Sequence, residues 1–122
     1  MAIENNSIII NSYDDNDKAI DVLRELADRI AYRIILSIMQ SPKSAAQICA
    51  ENNLPLSSTY KRIRKLYKIG LIAIERIYID SNGKKVVFYK SKIKSLAFNF
   101  RKDMVSLHID KNEMPMGSSM LV

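Results

Sequence analysis

A single cysteine, Cys49, in 122 residues excludes an internal disulfide framework and a cysteine-rich zinc site, and it suits a reducing compartment. The only histidine, His108, is distant from it in sequence, so no metal ion and no other cofactor is expected. Three glycines are too few for a phosphate-cradling loop, no nucleophile has a base beside it, and the basic middle of the chain holds no carboxylate pair. These absences predict no catalytic residues and a protein that is not an enzyme. Unbroken apolar runs are short, as at Ile8–Ile10 and Ile34–Leu36, far below the roughly 20 residues that span a bilayer. The amino terminus, with Glu4 ahead of three isoleucines, lacks the basic start and long apolar stretch of a secretory signal. A cytoplasmic chain without a membrane partner is the expectation.

What is present is ordinary usage for one globular domain: 48% apolar and 26% charged residues in 13.9 kDa. The formal charge of +6 is localised. Residues 56–94 hold eleven bases and two acids, Glu75 and Asp80, a local charge of +9, and the remainder is −3. Cations clustered on adjoining elements suggest an anionic polymer as partner rather than a merely solvated face.

The apolar pattern predicts an α+β fold. Residues 1–16 read as a polar amino-terminal arm in which Ser7 to Asn11 is either a short strand or a docked arm. From Asp17, apolar residues recur at Ile20, Leu23, Ala27, Ile30, Ile34 and Ile38, steps that fit one helical face of up to about six turns. Asn16 or Asp17 suits its start and Ser41-Pro42 stops it near Gln40; a break near Asp28 would make two helices of it. Ser44 can cap a short helix to about Asn52, with Cys49 a packing residue on its inner side, and Asn52-Asn53 makes a turn. Pro55 then opens a helix over 56–69, which Gly70 ends. Beyond it, 71–79 and 84–91 read as two strands about the turn Asp80-Ser81-Asn82-Gly83.

At about 100° per residue, the helix over 56–69 buries Thr59, Ile63 and Leu66 on one side. Ser57, Lys61, Arg64 and Lys68 fall on the opposite side, flanked by Tyr60 and Lys65, with Ser58 beside the amino-terminal end. Such a stripe matches the width and chemistry of the DNA major groove. Lys84 and Lys85 follow the hairpin tip, where cations can reach a phosphate or the minor groove. Ser57, Ser58, Tyr60, Lys61, Arg64, Lys65, Lys68, Lys84 and Lys85 are therefore the candidate DNA-binding residues.

Leu26-Ala27-Asp28, Ser44-Ala45-Ala46-Gln47-Ile48-Cys49, Leu54 through Ile63, and Leu66 with Gly70-Leu71-Ile72 resemble the ArsR-like winged helix-turn-helix regulators of archaea and bacteria. The resemblance covers about Leu26 to Ser91 and implies a domain over 17–92, with three or four helices and a hairpin wing. It further implies that 56–69 enters the major groove and 72–91 serves as the wing. The family's metal-sensing members carry further cysteine, histidine and acidic ligands that this chain lacks.

After the wing, Ile93, Leu96, Ala97, Phe100, Met104 and Leu107 fit a helix. Strands explain as many positions, because Leu96, Phe98, Phe100 and then Val105, Leu107, Ile109 alternate. They also account for Phe98, Val105 and Ile109, and they gather Asn99, Ser106, His108 and Asp110 on a polar side. A second β-hairpin over 93–110 is therefore expected, extending the wing's sheet, covering a dimer partner or simply completing the core, and 111–122 reads as a disordered tail. The functional expectation is a sequence-specific, double-stranded DNA-binding transcription regulator acting as a homodimer. The alternative is a winged-helix module for RNA, chromatin or protein binding within a transcription complex.

Overall fold

The computed structural model describes residues 7–10, 16–102 and 105–113, an α+β arrangement with four helices and two antiparallel three-stranded sheets among them. The rest of the expected amino-terminal arm, and 114–122 of the expected tail, lie outside the described residues. In chain order the elements are β1 (Ser7–Ile10), α1 (Asn16–Leu26), α2 (Arg29–Ser37), β2 (Lys43–Ser44), α3 (Ala45–Asn52), α4 (Leu56–Lys68), β3 (Ile72–Ile79), β4 (Lys85–Ser91), β5 (Ile93–Phe100) and β6 (Val105–Lys111).

The first apolar stretch is two helices, because Asp28 leaves the helical region at φ −67°, ψ 134° and turns its carboxylate onto the N–H groups of Ile30 and Ala31, both at 3.0 Å. The second of them stops at Ser37, three residues short of the expected Gln40. Partners from elsewhere satisfy the carbonyls just past its end: Ser91 N–H donates to Ile38 O, Asn112 Nδ2 to Met39 O and Lys90 Nζ to Gln40 O.

α3 opens with a reciprocal cap in which Ser44 Oγ accepts from Gln47 N–H and Gln47 Oε1 accepts from Ser44 N–H. It ends where Asn53 adopts φ 53°. At the end of α4, Gly70 at φ 86° lets its own N–H reach Tyr67 O and the Leu71 N–H reach Leu66 O, while Leu66 and Leu71 bury their side chains. This pair of bonds caps the helix through a left-handed glycine.

One sheet runs β2-β4-β3. β2 was not expected: Ser44 reads as a helix cap, and its pairing with Phe88 depends on a strand more than forty residues away. Between β3 and β4 the Asn-Gly pair does not form a two-residue turn. Only Gly83 takes positive φ, Asp80 and Lys84 pair through Asp80 N–H to Lys84 O, and the Asp80 carboxylate accepts from the N–H groups of Asn82 and Lys84.

The other sheet runs β1-β6-β5, so Ser7–Ile10 is a strand and 93–111 is a hairpin. Its register sets Leu96 opposite Ile109, Phe98 opposite Leu107 and Phe100 opposite Val105, the apolar alternation expected of strands. Leu107 and Ile109 enter the same core as Ala31, Ile34, Ile48, Ile63, Leu66 and Ile72. Each such large side chain, fully buried, contributes about 1.5–3 kcal/mol. The hairpin's inner face therefore completes the core. Order continues past 110: β6 reaches Lys111, and Asn112 Nδ2 bonds the carbonyls of Met39 and Ser91, tying residues expected in the tail to the domain.

Candidate nucleic-acid interface

α4 is anchored from within. Thr59 is fully buried and its Oγ1 donates to Pro55 O at 2.8 Å, and Ile63 and Leu66 are buried one and two turns on. That anchorage fixes the helix's rotation. Ser57, Tyr60, Lys61, Arg64, Lys65 and Lys68 are exposed, and Ser58 is half-buried. Pro55 makes no side-chain capping bond, so it leaves the N–H groups of the first turn of α4, beside the two serines, without a side-chain cap.

Lys61, Arg64, Lys65 and Lys68 line one open groove of about 430 Å³ together with Arg62. Arg62 is diverted from the exposed stripe. Its Nη1 lies 3.4 Å from Glu25 Oε2 and its Nη2 3.2 Å from Asp28 Oδ1, so its charge is answered within the protein. Among the described residues, no ion pair involves Lys61, Arg64, Lys65 or Lys68, the cations at steps of three and four on the outer side.

Lys84 and Lys85 join the helix through a second cleft of about 240 Å³, which Asp80, Tyr60, Tyr89, Val86, Val87 and the β2–α3 junction also line. This brings together three of the expected residues, Tyr60, Lys84 and Lys85, from elements with more than twenty residues between them. Ser57 and Ser58 line neither cleft.

Tyr89, Ser44 and Asp80 are the polar cleft residues that sequence reasoning did not place there. Tyr89 lies in an alternating apolar strand, and only the β2 pairing at Lys43 and the packing against α4 show which way it faces. Burial pushes its phenol above the ordinary 10.0, nearby Tyr60 adds to the rise, and Arg64 opposes it. At neutral pH it is therefore an uncharged phenol in the lining of the cleft that holds Lys84, Lys85 and Asp80.

On the outer side of the β3–β4 hairpin, the Arg76 guanidinium sits 4.4 Å from the centre of the Phe88 ring and Tyr78 stacks on the same ring. Among the described residues, no helix is long and apolar enough to cross a membrane, and no group of three or more His, Cys, Asp or Glu side chains is placed to hold a metal ion. Cys49 is buried with its Sγ 3.9 Å from Pro55 O, between α3 and α4. No family model, curated protein or solved structure matches this chain.

Proposed function

We propose that this chain is a transcription regulator that binds double-stranded DNA sequence-specifically, built as the ArsR-like winged helix-turn-helix domain its sequence resembles. In this reading α4 is the recognition helix and the β3–β4 hairpin is the wing. The observation that carries it is the division of α4: Lys61, Arg64, Lys65 and Lys68 stand exposed on one side while Thr59, Ile63 and Leu66 lock the other into the core. A helix about 10–12 Å across fits a major groove about 12 Å wide.

Arg64 and Lys61 reach guanine edges or phosphates, Ser57, Ser58 and Tyr60 contact bases or backbone, and Lys65 and Lys68 meet flanking phosphates. Lys84 and Lys85 hold the adjacent backbone or minor groove, and their cleft with Tyr60 couples the wing's position to the helix. Binding occupies a promoter and thereby blocks or recruits the transcription machinery, with no bond made or broken. One such helix reads only a few base pairs, so a homodimer reads an inverted repeat whose half-sites lie about 34 Å apart.

Selection of bound duplexes from a random pool, followed by footprinting across a salt series, tests this. The expected result is an inverted repeat with affinity that falls steeply with salt. Equal binding of all duplexes, or preference for single-stranded RNA over duplex, overturns the reading in favour of a general or RNA-directed module.

A further inference from the structure

The sheet β1-β6-β5 ends in β5, one edge of which no described strand occupies. β5 spans eight residues and pairs through β6; among the described residues no strand adjoins its other edge. Beside it opens an apolar groove of about 260 Å³ formed by Leu26 of α1, Tyr32 and Leu36 of α2, Met39, and Ile93 and Leu96 of β5 itself. No charged side chain lines this groove, and it shares no residue with the two cationic clefts. Tyr32 and Leu36 are 48% and 53% exposed, and Phe100 at the end of β5 is 73% exposed.

Natural proteins blunt a free edge with charges, proline or a mid-strand bulge. β5 has no proline, carries Lys94 as its one charge, and confines its irregularity to its start, between Ile93 and Ser95. The edge is therefore a template for another strand, flanked by side chains that water solvates poorly.

We infer that a second copy of this chain covers this surface, with β5 pairing antiparallel to its own counterpart about a two-fold axis. Antiparallel pairing of a strand with itself is self-complementary: every outward N–H meets a carbonyl that the axis generates, and the contact closes at two copies. Charge permits it, since an axis through the middle of the strand sets Lys94 opposite an uncharged residue of the partner's β5. Shape favours it as well. Leu96, Phe98 and Phe100 share the sheet's inner face, so the partner's copies of these residues continue that face over Tyr32 and Leu36. The result is one six-stranded sheet across the dimer, with the cations of α4 and the β3–β4 hairpin left uncovered. This locates the dimer that the DNA-binding reading calls for and rests on that reading for its purpose, but its existence is measurable without DNA.

The test is sedimentation velocity of the full chain, without nucleic acid, from about 1 to about 100 µM, joined to hydrogen exchange of the β5 amides at both ends of that range. The parent is expected to dimerise, with β5 amides protected at high concentration and released on dilution. Leu36→Glu and Phe100→Glu, both at exposed positions, are each expected to raise the dimer dissociation constant roughly a hundredfold through a charge buried without a partner, with the circular dichroism spectrum unchanged. A monomeric parent throughout, or a dimer that neither substitution weakens, overturns the inference. So does β5 protection that is independent of concentration, which would mean that the chain's own remaining residues cover the edge. A monomer that still footprints a duplex removes this dimer alone, whereas a dimer of this kind that binds no duplex removes the DNA-binding reading alone.

Discussion

Oδ1 of Asp28 lies 3.2 Å from Nη2 of Arg62, while Oδ2 of the same carboxylate accepts the N–H groups of Ile30 and Ala31. One side chain thus starts α2 and ties it to α4, and the Arg62 guanidinium reaches on to Glu25, whose side chain is only 8% exposed. The basic helix is held at its rotation by this polar tie as well as by its apolar stripe.

Asp28→Ala removes both the cap and the ion pair and should cost about 1.5–2 kcal/mol, lowering the Tm by roughly 5–10 °C. Asp28→Asn keeps the cap and should lose less than half of that. Thermal melts followed by circular dichroism check the order, and equal losses would mean that the ion pair, not the cap, carries the effect.

Lys61→Ala and Arg64→Ala should each weaken duplex binding, by about 1–3 kcal/mol at one base position where the side chain reads an edge, and evenly across sequences where it meets phosphate. The pair Lys84→Ala with Lys85→Ala should instead reduce the slope of log affinity against log salt by nearly 2. Titrations with a selected duplex across a salt series measure both. Binding like the parent's at about 150 mM salt would show that the corresponding surface is misassigned.

Arg62→Ala provides the contrast. It deletes a cation from the same helix, yet it should cost stability, about 1–3 kcal/mol from the Glu25 carboxylate left buried without its partner, rather than base discrimination. Denaturant unfolding compared with duplex affinity separates the two effects.

The raised pKa of Tyr89 makes a pH prediction with a definite sign. Below the ordinary tyrosine value of 10.0 both folded and unfolded chains keep this proton, and the phenol adds no pH dependence. As pH rises past that value the unfolded chain ionises first, so stability falls until the folded pKa is passed. Tyr89→Phe should flatten this alkaline loss while leaving the acid side unchanged, as read from denaturation midpoints between about pH 8 and 11.

Gly70→Ala tests the end of α4. An added Cβ there meets nothing within 4 Å, so the cost is backbone strain alone at φ 86°, about 1–2 kcal/mol. A loss well above this would mean that the substitution also disturbs the buried Leu66–Leu71 contact that the cap positions.

Local rules made much of this molecule legible in advance. The division of α4 into a buried stripe and a cationic side follows from 3.6 residues per turn, which places Thr59, Ile63 and Leu66 together whatever surrounds them. The stop at Gly70 and the cap at Ser44 involve bonds that span at most five residues. Over 93–110 a helix fits as many positions as strands do, and the two-residue period is preferred because a helix would leave Phe98, Val105 and Ile109 exposed.

The sequence by itself therefore determined which residues of α4 share a face, where α3 begins and where α4 ends, since those outcomes are set within one or two turns of chain. Only the tertiary structure decided that Arg62 reaches back to Glu25 and Asp28, that the carbonyls of Ile38, Met39 and Gln40 just past α2 accept from Ser91, Asn112 and Lys90, and that Tyr60 meets Lys84 and Lys85 in one cleft. These choices join groups as much as 73 residues apart, as Asn112 and Met39 are. A buried carbonyl or carboxylate must find a partner, but no local periodicity says which distant side chain will supply it.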